Sequence, residues 1–159
     1  MFRDVPPLRD ALAAGGLTLA LGACILATVT DVTSRRIPNI ACAAVLLGGG
    51  LWALAGVRSG TTNVSLAVAM ALLVWGTWMH RVKVLGGGDV KMLVAITAWL
   101  PVDHLAVFVL WGSIGSLLTA GLMRFLTRRD GGDHSVPLAV AFLCGMLAVF
   151  RPLLERAVP

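Results

Sequence analysis

The chain has 159 residues, of which 58% are hydrophobic and 13% are charged. Because soluble domains carry about a quarter charged residues, this composition excludes an ordinary soluble domain, a disordered chain, a collagen and a coiled coil. The net charge of +5 comes from basic residues that stand between apolar segments. That arrangement is typical of membrane topology signals and not of a nucleic-acid surface. We therefore predict an all-α membrane protein whose partner is the lipid bilayer and which has no nucleic-acid partner.

Six apolar windows follow one another along the chain, with short loops between them. They are 11–30, 40–57, 64–79, 90–102, 105–123 and 136–150. Because a spanning helix needs about 20 predominantly apolar residues, the windows predict a polytopic bundle of about six transmembrane helices. Short loops predict one membrane domain over residues 1–159. The fourth window is the shortest, and the sequence leaves open whether it crosses the bilayer.

The first window also has features of a secretory signal. Arg3 and Arg9 precede it, and the stretch from Leu21 to Cys24 loosely resembles a lipoprotein cleavage site. However, two aspartates dilute the positive region, and apolar sequence continues beyond the cysteine, where a processed signal gives way to polar residues. We expect this window to be retained as a membrane helix.

The basic residues are divided unequally between the two sides of a six-helix bundle. The loops 31–39, 80–91 and 124–135 share one side, and the termini share the other. The loops hold eight of the 13 basic residues: Arg35, Arg36, Arg81, Lys83, Lys91, Arg124, Arg128 and Arg129. By the positive-inside rule, the loops face the cytoplasm and both termini lie outside.

Two acidic residues stand at the edge of an apolar window. Asp31 directly ends the first window, and Asp89 directly precedes the fourth. A carboxylate at such a boundary is costly unless it is paired, hydrated or neutral, which makes it a functional candidate. The alternative is that each carboxylate reaches separately into headgroup water. Because the predicted topology places both on one face of the membrane, we expect a pair.

A close pair of carboxylates shares one proton, because two like charges repel. Asp31 lies at the end of a predicted helix, where the helix dipole disfavours an anion, whereas Asp89 lies at a helix start, where the dipole favours one. We therefore expect the proton to favour Asp31. The glycines at 86–88 allow close backbone approach and positive φ before Asp89, although a flexible turn is an equally simple explanation of them.

Two segments together resemble the signatures of the type IV prepilin peptidases, which are membrane aspartic proteases whose second motif is written GxGD. These segments are Asp31–Asn39 and Gly86–Leu93. A third segment, Val136–Ala141, is similar to the family's late PYxxA stretch, with Leu138 in place of the aromatic residue. The resemblance covers nearly the whole chain in order and spacing.

The resemblance implies an endopeptidase of the bacterial cytoplasmic membrane that removes the short basic leader of prepilins on the cytoplasmic side. It implies that Asp31 and Asp89 are the catalytic pair and that neither a cofactor nor a metal is needed. The partner is then a prepilin, whose basic leader stays in the cytoplasm while its apolar helix docks laterally.

Further candidates shape the site or contact the substrate: Gly86, Gly88, Lys91, Arg35, Pro38 and Asn39. Several have simpler explanations. Lys91 either tunes the site or extends towards headgroup water. Arg35 either meets Asp31 one turn away or anchors the chain at lipid headgroups. Pro38 and Asn39 most simply start the second helix.

The cysteines distinguish between forms of this family. Longer members carry paired CxxC motifs in a cytoplasmic insertion and also N-methylate the cleaved pilin. The three cysteines here form no CxxC, and the sequence has no room for the insertion. It resembles the short form that accompanies Flp, or tight-adherence, pili, which predicts cleavage without methylation.

Two other functions remain open from the residues alone. A small proton-coupled transporter would use Asp31 and Asp89 as relay carboxylates, but it predicts inverted repeats and acids near the bilayer midplane. A non-catalytic subunit of a pilus or secretion assembly would tolerate the loss of both carboxylates.

Overall fold

The computed structural model describes residues 6–56, 62–83, 85–126 and 138–157, and in these ranges the chain is helical with no strand. The helices are α1 (Pro6–Ser34), α2 (Asn39–Leu54), α3 (Thr62–Arg81), α4 (Gly87–Thr97), α5 (Val102–Leu126) and α6 (Ala139–Ala157). Each occupies one of the six predicted windows. The predicted all-α membrane bundle is therefore confirmed.

The helices differ in how far they can reach across a bilayer. Three described segments are long and apolar enough to cross one, namely Leu8–Ser34, Asn63–Arg81 and Val102–Leu122, and Asn39–Leu54 is a shorter apolar helix. Helix α4 has 11 residues, which at 1.5 Å per residue is about 16 Å, against about 30 Å of hydrocarbon. The helix alone therefore covers about half of the hydrocarbon thickness.

Helix α1 is the central element of the bundle. It packs against α2 on one side and α6 on the other, while α4 joins α2 to α3, and α5 packs on α6. In its best spanning window 39% of the residues are buried, against 17% in α3 and α5, whose large apolar side chains face outwards. The helix is continuous through Cys24, which is buried.

Small residues set the distance between α1 and α2. A Cβ atom added to Gly16 would lie 2.5 Å from the carbonyl oxygen of Gly48, and a Cβ on Gly48 would collide with the carbonyl oxygen of Gly16. The two backbones therefore touch, as is usual where membrane helices pack through glycine. This crossing holds the end of α1 beside the start of α2.

Helix α4 is held in place by its neighbours. Val90 fills the space left by Gly76 of α3, and the ring of Trp99 lies against Gly49 of α2. Beyond the end of α4, the buried Ser65 hydroxyl donates to the carbonyl oxygen of Leu100 at 2.7 Å. These contacts fix a helix that is too short to be anchored by spanning the bilayer, and they position its first turn.

Candidate functional site

Asp31 lies in the last turn of α1 and is 8% exposed. Its Oδ2 accepts a hydrogen bond of 3.1 Å from the backbone N–H of Ala139, the first residue of α6. The carbonyl oxygen of Leu138 accepts the first amides of that helix, from Ala141 at 2.9 Å and Phe142 at 3.4 Å. The Ala139 amide is thus one of the N–H groups that a helix start leaves without an internal acceptor, and Asp31 satisfies it.

Asp89 lies in the first turn of α4, three residues after the N-cap, Gly86. The carboxylate folds back over this residue and accepts a hydrogen bond from its backbone. A Cβ atom on Gly86 would lie 2.5 Å from Oδ2 of Asp89, so a side chain there would displace the carboxylate. Acidic side chains in this position commonly satisfy the free amides of a helix start.

The glycines at 86–88 matter through space and not through unusual backbone angles. Gly86 has φ −67° and ψ 142°, which other residues also adopt. A Cβ on Gly88 would lie 3.0 Å from Cβ of Ile37, and one on Gly87 would lie 3.3 Å from the ring of His80. The close approach that these glycines allow is observed, and none of the three adopts the positive φ that they also allow.

The two carboxylates line one cavity of about 320 Å³ at the end of the bundle where α1 finishes and α4 starts. The other lining residues are Arg35, Arg36, Ile37, Gly86, Gly87 and Gly88. The loops 31–39 and 80–91 therefore meet on one face of the structure, and the start of α6 joins them through Ala139. A polar cavity of this size has room for water beside the two carboxylates.

The pKa of Asp89, which lies outside the spanning segments, is raised from its ordinary value of 3.8 to about 6. Burial of the carboxyl group is the main cause, the negative charge of Asp31 adds to it, and the hydrogen bond from Gly86 opposes it. An acid shifted in this way can hold a proton close to neutral pH. This is what a catalytic proton donor requires.

The expectation about the proton considered only α1 and α4, and the structure adds a contact from a third helix. That expectation put the proton on Asp31 because α1 ends there. The start of α6, which the sequence around α1 does not reveal, directs its first amide at Asp31. The surroundings of this carboxylate therefore include a donor that the expectation did not count.

Arg35 ends α1 and also lines the cavity. Its φ is 55°, in the left-handed region, and its amide donates to the carbonyl oxygen of Asp31 at 2.9 Å. This geometry closes the last turn of the helix. The side chains of Arg35 and Arg36 border the same cavity as Asp31, so both arginines lie at the site and not away from it.

Three other predicted site residues lie beside the cavity and not on its wall. Pro38 is the N-cap of α2, and Asn39 is its first residue, as their proposed role in starting this helix requires. The Lys91 ammonium donates to Oδ1 of Asn39 at 3.1 Å. This hydrogen bond ties the starts of α2 and α4 together, a contact that neither explanation of Lys91 foresaw.

The sequence did not identify Ala139 or Thr28 as site residues. Thr28 lies one turn before Asp31 and donates to the carbonyl oxygen of Ala139 at 3.0 Å. The signal that points to this region is the segment Val136–Ala141, of which residues 136 and 137 lie outside the described ranges. In the ranges that the structure describes, no group of three or more His, Cys, Asp or Glu side chains is arranged to hold a metal ion.

Comparison with known proteins gives one match. The sequence profile described as the type IV leader peptidase family matches residues 18–122. This stretch includes both carboxylates, the glycines before Asp89 and the cavity that they line. No curated protein and no solved structure matches the chain significantly.

Proposed function

Because the chain belongs to the type IV leader peptidase family, we propose that it is an aspartic endopeptidase whose catalytic pair is Asp31 and Asp89. Its substrate is a prepilin of the Flp type, cleaved after a short basic leader at the cytoplasmic face of the bacterial inner membrane. The observation that carries this proposal is the cavity of about 320 Å³ lined by both carboxylates.

The chemistry uses the difference between the two carboxylates. Asp31, ionised, takes a proton from a water molecule held in the cavity, and this water attacks the scissile carbonyl carbon. Asp89, protonated, donates to the carbonyl oxygen and stabilises the developing negative charge. As the tetrahedral intermediate collapses, the leaving amine takes its proton from Asp31 and Asp89 recovers one from a hydroxyl group of the intermediate, so the pair returns to its starting state.

An apolar groove supports lateral docking of the substrate helix. The groove has a volume of about 370 Å³ and lies between α4, α5 and α6. Leu93, one turn beyond Asp89, and Leu138, next to Ala139, line it together with Phe108 and Phe142. A pilin helix seated there would bring the residues that precede it to the carboxylates.

The proposal also includes the orientation of the protein in the membrane and cleavage without N-methylation of the pilin. With the loops 31–39 and 80–91 in the cytoplasm, the cavity faces the side on which a basic leader is retained. The three cysteines lie in α1, α2 and α6 and form no CxxC pair, which supports cleavage without N-methylation. Both termini then lie outside.

Reconstitution of the protein with a Flp-type prepilin tests the proposal. The Asp31→Asn and Asp89→Asn variants should each cleave at least about 1,000-fold more slowly, because neither amide can exchange a proton as the carboxyl does. Glu155→Gln is the matched control, since Glu155 forms only an exposed ion pair with Arg151 at 2.9 Å. Cleavage that survives either aspartate change would refute the pair. Mass spectrometry of the new N-terminus tests the second part of the proposal, and a methyl group there would contradict cleavage without N-methylation.

A further inference from the structure

We propose that Thr28 is a positioning residue that locks the start of α6 onto α1 and thereby holds the Ala139 amide on Asp31, the general base. This inference rests on the proposed function. It assigns a role to a hydroxyl group that takes no part in the chemical steps, and it identifies a contact that orients the carboxylate at the end of α1.

Thr28 and Asp31 both form hydrogen bonds with Ala139 from the same face of α1. The Thr28 hydroxyl lies 3.0 Å from the carbonyl oxygen of Ala139, and Oδ2 of Asp31 lies 3.1 Å from its amide nitrogen. The two side chains are one helical turn apart, so both project towards α6. Two contacts on one residue fix the distance between the helices and also the direction in which the first amide of α6 points.

The other hydroxyls of α1 show why Thr28 differs from an ordinary membrane threonine. Thr18, Thr30 and Thr33 donate to carbonyl oxygens three or four residues earlier in α1, which is the usual way for threonine to satisfy its hydroxyl within a helix. Thr28 does so as well, to Cys24 at 2.8 Å, and it shares the same proton with Ala139.

Charged side chains also reach this cavity from two other parts of the chain. Arg35 and Arg36 border it from the chain that follows α1, and Asp89 borders it from α4. The ring of His80 of α3 lies next to Gly87, which is one of the lining residues. Helix α6 contributes a backbone amide to Asp31, and its own charged pair, Arg151 and Glu155, lies three turns further along. The α6 contact can therefore be altered without changing any charge.

Two substitutions disrupt the contact between α1 and the start of α6, one at Thr28 and the other at Ala139. Thr28→Val keeps the shape of the side chain but has no hydroxyl, and Thr28→Ser restores the hydroxyl. Ala139→Pro removes the amide hydrogen itself, at the first position of a helix, where proline is well tolerated. Ala139→Gly is its control, because glycine keeps the amide.

In the reconstituted system with the same prepilin, Thr28→Val and Ala139→Pro should each lower kcat/KM about tenfold, the effect of losing one hydrogen bond to a charged group. The loss should appear in kcat and leave KM nearly unchanged, because the contact orients a reacting carboxylate and not the groove that would bind the substrate helix. Thr28→Ser should restore kcat, and Thr30→Val should match the wild type.

The inference is overturned if Thr28→Val and Ala139→Pro behave like Thr30→Val. It is also overturned if Thr28→Ser fails to restore kcat, or if the loss appears in KM alone, because then the hydroxyl group does not position the reacting carboxylate. Failure of the proposed function looks different: there, the Asp31→Asn or Asp89→Asn variant would still cleave.

Discussion

The end of α1 and the start of α4 each bring one carboxylate to the same cavity, but they support it in opposite ways. Asp31 stands at a helix end, is 8% exposed, and is held by an amide from a different helix. Asp89 stands at a helix start, is half-buried, and is held by Gly86 of its own turn. The difference between them shows that the surroundings of a carboxylate can come from its own turn or from a helix far away along the chain, whichever end of a helix it occupies.

The largest effect short of removing a carboxylate is expected at Gly86. Gly86→Ala should lower kcat/KM by about 100-fold, because the new Cβ would lie 2.5 Å from Oδ2 of Asp89 and would displace it. The measurement is prepilin cleavage in reconstituted vesicles at fixed pH. The backbone itself accepts alanine, since φ is −67°.

Three other glycines provide graded controls for Gly86→Ala. Gly88→Ala meets Ile37 at 3.0 Å, and Gly87→Ala meets the His80 ring at 3.3 Å, whereas Gly50→Ala meets nothing within 4 Å. Activity should therefore fall in the order Gly50, Gly87, Gly88, Gly86. A Gly86→Ala variant as active as Gly50→Ala would show that the position of the Asp89 carboxylate is unimportant.

The pH dependence of cleavage tests the assignment of the proton. With Asp89 as the proton donor, kcat/KM should fall as pH rises through about 6, the raised pKa of this residue. Each further pH unit then lowers the rate about tenfold. The profile is measured in vesicles with the fold monitored by circular dichroism at each pH. An alkaline limb near pH 4 would mean that burial and Asp31 do not raise this pKa.

The same shift predicts a smaller effect on stability. Because the pKa of Asp89 is higher in the folded protein than the ordinary value of 3.8, the folded state binds more protons than the unfolded state between about pH 4 and 6. Stability is therefore lost as pH rises through that window and stays reduced above it. Asp89→Asn removes the buried charge and should raise Tm by a few degrees at pH 8.

At pH 4 the same variant should differ little from the wild type, because Asp89 is then largely protonated. Thermal unfolding in detergent at the two pH values makes the comparison. Glu155→Gln is again the control, and it should leave Tm nearly unchanged at both, since exposed ion pairs contribute little. A fall in Tm for Asp89→Asn at pH 8 would contradict the assigned cost of this charge.

The smallest effect is expected at the contact between α2 and α4. Lys91→Met removes the donor to Asn39, whose Oδ1 lies 3.1 Å away, and should lower kcat/KM about threefold by loosening the start of α4. Asn39→Ala should do the same. The double variant should be no worse than either single one if this hydrogen bond is the whole effect, and an additive loss would show that the two residues act separately.

Much of this protein could be predicted from local sequence. Apolar windows predicted the six helices because each helix must cover its own backbone polar groups in lipid. The boundary positions of Asp31 and Asp89 singled them out as candidates, and the glycines before Asp89 indicated close packing. The alternation of six windows and their loops also predicted that both carboxylates lie on one face of the bundle, and in the structure they line one cavity.

Other features could not be predicted in this way. The glycines are needed because of what lies next to them, the Asp89 carboxylate and Ile37, and not because of their φ. The length of α4 is set by its end at Thr97, and its short reach is compensated by packing on α2 and α3. Both depend on neighbours that a linear pattern does not reveal.

The amino-acid order by itself determined which segments enter the membrane and which two acids stand at its edge, because hydropathy and charge act over a few residues. Only the tertiary structure decided how those acids differ. The amide that holds Asp31 comes from Ala139, 108 positions away along the chain, and nothing in the sequence around Asp31 announces it. The dipole of a helix follows from the residues of that helix, but the electrostatic field at a carboxylate is the sum of the contributions from every helix that reaches it.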